Sequence, residues 1–269
     1  MNRTLTTLVT LGASAALMAG CSSSDTASSD DSADASSTTS TDSAVTGDIT
    51  VFAAASLKAT FTALGETFEA ENPGTDVEFN FAGSSDLVTQ LTQGAPADVF
   101  ASADTNNMTK AVDGDLVDGD PANFATNTLT IVTAPGNPKN VTSFADLANP
   151  DVLTVICAPQ VPCGNATKKV EDATGTTIPA VSEESAVTDV LGKVTSGQAD
   201  AGLVYVTDAA GVGDQVTTVD FPESAEAVNT YPIAVLKSSE NAATAAAFEA
   251  LVTSDEGRRV LAEAGFAAP

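Results

Sequence analysis

From Ile49 onward, short β-rich runs alternate with segments of helical periodicity, and this alternation limits the fold more than any other feature. Residues 49–53 form a short β-rich run. Ser56 then precedes Leu57, Phe61, Leu64 and Phe68, which recur at helical spacing. A serine is a favoured N-cap, and Asn72-Pro73-Gly74 predicts the stop. Val77, Phe79 and Phe81 alternate, as on a half-buried strand. Gly83-Ser84-Ser85 leads into a second helix through Leu87, Val88 and Leu91, ended by Gly94, and residues 98–101 read as a third strand. The opening is therefore β-α-β-α-β, the signature of a parallel sheet.

The pattern continues to the C-terminus. Strands are predicted over 128–134, 152–158, 201–206, 216–221 and 230–237, and helices over 164–173, 185–196, 241–254 and 255–264. Pro232 argues that the strand at 230–237 is not central along its whole length, because proline cannot donate to a ladder. No repeat of fixed period is present. Residues 48–269 are enough for two α/β lobes. The strands at 128–134 and 230–237 are the candidate crossings. Residues 48–127 plus 238–269 make the expected first lobe. Residues 128–237, crossing strands included, make the second. In open α/β sheets ligands bind beyond the C-terminal strand ends, so two such sheets can face each other across a cleft.

The N-terminus has different chemistry. Arg3 is followed by an apolar run over residues 8–19, too short to span a bilayer, ending in Leu17-Met18-Ala19-Gly20-Cys21. This is the form of an export signal over residues 1–20. The cysteine after Ala-Gly resembles the lipobox of bacterial lipoproteins, with Cys21 as the lipidated first residue of the mature chain. The plainer alternative is an ordinary secretory signal with an incidental cysteine. Residues 22–47 are almost entirely Ser, Thr, Asp and Ala. Such a segment cannot offset its ordering entropy and is expected to be a disordered linker, which a membrane-tethered domain can use.

Charge and residue usage then remove whole classes of function. The formal charge is −26, so nucleic acid and anionic membrane surfaces are poor partners. The chain has no histidine, which excludes Ser-His-Asp and Cys-His catalysis. No Gly-x-Ser-x-Gly elbow and no phosphate-cradling Gly-rich loop with Lys-Ser/Thr is present. A two-carboxylate hydrolase stays open on composition, but the chain has no Trp and only two Tyr to bind sugars. The run from Asp113 to Asp120 glances at a calcium loop and fails at Val117, where Asp or Asn is needed. If Cys21 carries lipid, Cys157 and Cys163 remain of the three cysteines. An even remainder at short spacing in an oxidising compartment points to a disulfide, against a metal pair or two free thiols.

Several motifs resemble one family. Val51-Phe-Ala-Ala-Ala-Ser56-Leu57 is similar to the first signature of the molybdate/tungstate-binding proteins of bacterial ABC importers. Phe81-Ala-Gly-Ser84-Ser85-x-Leu87, followed by Gln90-Leu-Thr-Gln-Gly-Ala-Pro-Ala-Asp-Val-Phe-Ala-Ser-Ala-Asp104, is similar to the second. Val161-Pro-Cys-Gly164, Ala186-Val187, Gly202-Leu-Val-Tyr205-x-x-Asp208-Ala and Tyr231-Pro-Ile-Ala-Val235 fit the remainder. The resemblance spans residues 49–266. It implies a type II periplasmic-binding-protein fold, with two α/β lobes around a ligand cleft. It also implies a monomer that is no enzyme and needs no cofactor, anchored by lipid to the outer face of the cytoplasmic membrane and delivering its ligand to an ABC transporter permease. Carried over position by position, the oxyanion contacts would be Ser56, Ser84, Cys163, Val187 and Tyr205. Cys163 departs from the small residue expected there, but a backbone N–H contact tolerates that change.

These residue types suit such a ligand. Molybdate is a tetrahedral dianion that accepts hydrogen bonds and offers none. Ser56, Ser84 and Tyr205 supply hydroxyls, and Cys163 and Val187 supply N–H groups at expected helix starts, where anions are favoured. No cation is required. Surface carboxylates are screened within about 10 Å at ordinary salt, so the acidity slows encounter more than it weakens the bound state. Glu184, near Val187, is expected to point to solvent. Binding of sulfate, phosphate or another small anion on the same fold is the nearest alternative. An exported carboxylate-based hydrolase and a structural surface lipoprotein are the others.

Overall fold

The computed structural model describes residues 45–269. The expected export signal, Cys21 and nearly all of the expected linker lie outside the described residues.

Residues 45–269 build two five-stranded sheets of matching design. The first contains β1 (Ile49–Ala54), β2 (Val77–Ala82), β3 (Val99–Ala101), β4 (Ala122–Asn127) and β10 (Asn229–Val235), in the order β2-β1-β3-β10-β4. The second contains β5 (Leu129–Thr133), β6 (Thr154–Cys157), β7 (Ser182–Glu184), β8 (Ala201–Tyr205) and β9 (Thr217–Val219), in the order β7-β6-β8-β5-β9. Three strands in each sheet are parallel. In the first sheet β1 pairs in parallel with β2 and β3, and in the second β6 pairs in parallel with β7 and β8. A crossing strand, β10 or β5, then runs antiparallel between the third parallel strand and the edge.

The chain crosses between the sheets twice, through one residue and then through residues 220–228. Thr128 lies between β4 and β5. Val228 lies between a 3₁₀ segment, Pro222–Ala227, and β10. The expected assignment of 230–237 to the second lobe is therefore corrected. β10 is hydrogen-bonded on both sides within the first sheet, to β3 and β4. Pro232 does not push this strand to the edge. The register with β4 shifts between Tyr231 and Pro232, so the missing N–H falls at an irregularity in the ladder. The short strands β4 and β7 gave no apolar alternation to read, and the sequence reading omitted both.

Helices cover both sheets. On the first lie α1 (Lys58–Glu71), α2 (Ser84–Thr92), α3 (Thr105–Asp113), α7 (Ala242–Thr253) and α8 (Asp255–Glu263). On the second lie α4 (Pro162–Thr174), α5 (Val187–Thr195) and α6 (Val206–Val212). α1 buries Phe61, Leu64 and Phe68 at helical spacing and ends where Asn72 Nδ2 donates to the Phe68 carbonyl. Phe61 and Phe68 pack on Phe248 of α7, with ring centroids 6.0 and 5.6 Å apart in edge-on geometry. This aromatic cluster joins the N-terminal and C-terminal parts of the first lobe.

Candidate functional site

The parallel strands of both sheets direct their C-terminal ends to one gap. After β1 the chain reaches Ser56, after β2 Ser84 and after β3 Ala103. After β6 it reaches Cys163, after β7 Val187, and β8 ends on Tyr205. All six residues line a single small cavity, together with Ala54, Ala55, Gly83, Val161 and Pro162. The sequence had separated Ser56, Ser84, Cys163, Val187 and Tyr205 by up to half the chain. The tertiary fold brings all five to one place, two from the first lobe and three from the second.

Four helical starts converge on this cavity, and none is capped by its own side chain. A 3₁₀ turn, Ala55–Leu57, begins at Ala54, α2 at Gly83, α4 at Val161 and α5 at Ala186, with no side-chain cap at any of them. The first N–H groups of a helix have no partner within it, so apolar caps leave those donors and the positive end of the dipole available. By contrast, α3 and α8 start on Asp104 and Ser254, whose side chains accept from the N–H groups of Asn107 and Gly257. At α4 the first helical residue is Pro162, which has no N–H, so Cys163 is the first that can donate.

Two expectations on local structure are corrected here. Ser56 is not the N-cap of α1. It lies inside the 3₁₀ turn, and its Oγ is 3.1 Å from the Tyr231 hydroxyl. Ser84 does not precede α2 but is its first residue, behind Gly83.

Two of the three hydroxyls accept from fixed N–H donors. Ser84 Oγ accepts from the Ala103 N–H at 3.0 Å, which leaves its own hydrogen to give. Tyr205 Oη accepts from Asn229 Nδ2 at 2.9 Å and is in the same position. Burial, reinforced by Tyr231, Asp104 and Asp208, raises the Tyr205 phenol well above its usual range, so it stays protonated.

No carboxylate and no cationic side chain lines the cavity. The nearby acids are held apart. Glu184 does not point to solvent as expected. It pairs with Lys193 and accepts from Ser182. Burial works against its charge, but these bonds outweigh burial and hold its carboxyl below the usual range. Asp104 is buried, and Asn107 donates to its Oδ1 through backbone and side chain. Its Oδ2 has no hydrogen-bond partner among the described residues, and burial raises its pKa. Asp208 keeps part of its residue surface in solvent, yet its carboxyl is packed in protein, and burial pushes it up to about 7 against a bond from the Tyr205 N–H.

A disulfide joins Cys157, the last residue of β6, to Cys163 at the start of α4, with Cα atoms 5.6 Å apart. It closes the loop that carries Val161 and Pro162 into the cavity. The lobes also touch directly. Asn107 Nδ2 of α3 lies 3.5 Å from the Gln160 carbonyl, and a Cβ on Gly83 would meet the Ser185 carbonyl oxygen. Sequence reasoning missed Ala103, Asn107 and Asn229, because each acts on a residue remote in the chain. Sequence reasoning also missed that these helix starts are uncapped, because it placed Ser56 as an N-cap and Ser84 ahead of its helix.

Comparison with known proteins agrees with this geometry. Residues 49–267 match the family model of the bacterial extracellular solute-binding proteins. The chain belongs to that family. Among its members, the molybdate-binding protein ModA of Mycobacterium tuberculosis is 59% identical over 221 residues, covering 82% of this chain and 85% of the relative. YvgL of Bacillus subtilis, named as a candidate ABC transporter substrate-binding lipoprotein, is 30% identical over 264 residues, covering 94% of each chain. The periplasmic molybdate-binding protein of Azotobacter vinelandii superposes with a TM-score of 0.71 at 23% identity, over 82% of this chain and 99% of the other, which shows the shared two-lobed fold.

Proposed function

We propose that this solute-binding protein captures molybdate or tungstate between its lobes and delivers it to an ABC import permease. The observation that carries this reading is the convergence of four uncapped helical starts and three hydroxyls on a cavity lined by no charged side chain. A fully deprotonated tetrahedral dianion needs donors on every side and no acceptor. Ser56, Ser84 and Tyr205 would donate through hydroxyls, and Cys163 and Val187 through backbone N–H groups. Monohydrogen phosphate would find no acceptor for its P–OH. The high identity to the M. tuberculosis molybdate-binding protein supports the choice of anion.

The ligand would bridge the lobes and draw them together about Thr128 and Val228, shifting the population to the closed form that a permease recognises. The protein works as a monomer with no catalytic role and no cofactor. It is exported and held at the outer face of the cytoplasmic membrane by lipid on Cys21. In support, residues 17–21 have the lipobox pattern, and among the described residues no helix is long and apolar enough to cross a membrane.

The test is calorimetric titration with molybdate, tungstate, sulfate and phosphate. Tight one-to-one binding of the first two, with weak response to the others, is expected. Tight phosphate binding would overturn the donor-only site, and tight sulfate binding would move the physiological ligand.

A further inference from the structure

Asn127 and Asn229 are register partners on β4 and β10, beside the two crossings between the lobes. Each sends its side-chain amide into the second lobe. Asn127 Nδ2 donates to Thr207 Oγ1 at 2.8 Å, and Asn229 Nδ2 donates to Tyr205 Oη at 2.9 Å. Asn229 Nδ2 also donates to the Ala103 carbonyl at 2.8 Å. A carbonyl can only accept, so this contact settles which end of the Asn229 amide faces the cleft. Both hydrogens of that nitrogen are then assigned, one to each lobe. The Pro162 carbonyl, 3.5 Å away, is a long third neighbour.

A phenol hydroxyl has one hydrogen, and the oxygen that accepts from Asn229 must point that hydrogen elsewhere. Tyr205 lines the cavity, and the Tyr231 hydroxyl, which also pairs with Ser56 Oγ, is the other acceptor within its reach, so an anion in the cavity competes with Tyr231 for that hydrogen. We propose that Asn229 is a positioning residue: it compels Tyr205 to present its hydrogen, rather than a lone pair, to the bound oxyanion. Because Asn229 stands on the first lobe and Tyr205 on the second, this orientation is imposed when the lobes close. Open-form water can donate to or accept from the phenol, but the closed form allows it only to donate. Closure thereby selects for an anion with no proton. This inference rests on reading the cavity as an oxyanion site.

The test is a double-mutant cycle in the full chain, with molybdate affinity measured for the parent, Asn229→Asp, Tyr205→Phe and the double variant. An aspartate at 229 accepts where asparagine donates, so it takes the Tyr205 hydrogen and turns a lone pair to the ligand. We expect Asn229→Asp to weaken binding by roughly tenfold to hundredfold, the range for losing a hydrogen bond to a charged group. In the Tyr205→Phe background the same change should cost less than about threefold, since no hydroxyl remains to misdirect. Equal loss in both backgrounds would overturn the proposal, because a packing or charge effect does not need the phenol. Parent-like affinity of Asn229→Asp would overturn it as well. The same cycle with Asn229→Ala, which removes the donor without adding charge, applies if aspartate prevents folding. Molybdate binding by the parent chain tests the function, whereas the ratio between backgrounds tests Asn229.

Discussion

Gly83 of the first lobe stands so close to Ser185 of the second that a Cβ on residue 83 would lie 2.0 Å from the Ser185 carbonyl oxygen. Gly83 has φ −61° and ψ 138°, which any residue can adopt. Glycine is required there for space, not for backbone freedom. Gly83→Ala should leave each lobe folded and keep them from closing. We expect molybdate affinity to fall by about a hundredfold or more, for a cost of roughly 3 kcal/mol, with thermal stability of the unliganded chain near that of the parent. Calorimetry together with a melting curve checks this, and parent-like affinity would show that the closed contact is dispensable.

Ser84 contributes twice. Its Oγ accepts from the buried Ala103 N–H, and under the proposed function its own hydrogen goes to the ligand. Ser84→Ala should therefore weaken binding by roughly tenfold to hundredfold and also destabilise the unliganded protein by about 1–3 kcal/mol, the cost of an unpaired buried donor. Titration and denaturant unfolding read the two effects separately. If binding is unchanged, Ser84 is not a ligand.

The Cys157–Cys163 bridge closes a short loop that bears part of the cavity wall. Chain-entropy arguments for so short a loop give about 2 kcal/mol of stabilisation. Replacing both cysteines with serine should lower stability by about that amount. It should also weaken molybdate binding severalfold, because the first free N–H of α4 is then less well placed. Stability lost with affinity unchanged would mean that packing alone positions the helix start.

Asp208 introduces a pH dependence. Its pKa is pushed from 3.8 to about 7 by burial. Between those values the folded state holds a proton that the unfolded state has released, so stability falls as pH rises through the folded pKa. Asp208→Asn keeps an acceptor for the Tyr205 N–H and removes the charge. The variant should gain on the order of 2 kcal/mol relative to the parent at pH 8 and little at pH 4. Melting temperatures across that range measure the difference, and a pH-independent offset would contradict it.

Much of the architecture was legible because it is local. Phe61, Leu64 and Phe68 mark α1 by their spacing alone, and Asn72-Pro73-Gly74 stops it. Elements with no apolar periodicity escaped. β7 is Ser-Glu-Glu and half-exposed, so it forms only because β6 offers a free edge. β10 was assigned to the wrong lobe because sequence order says when the chain crosses, not which sheet pairs with the crossing strand. Glu184 was expected in solvent because its partner, Lys193, lies on the next helix and nothing in the local pattern links them.

The sequence by itself determined the β-α alternation and which residues carry a hydroxyl that can donate. Those properties depend on residue type and near neighbours. Only the tertiary structure decided that six strand ends meet at one cavity and that Gly83 closes on Ser185. The same holds for Asn229, whose side-chain amide donates to the Tyr205 hydroxyl. Each of these depends on atoms brought together from remote parts of the chain by the pairing of β10 and β5 into opposite sheets, and no local preference encodes that pairing.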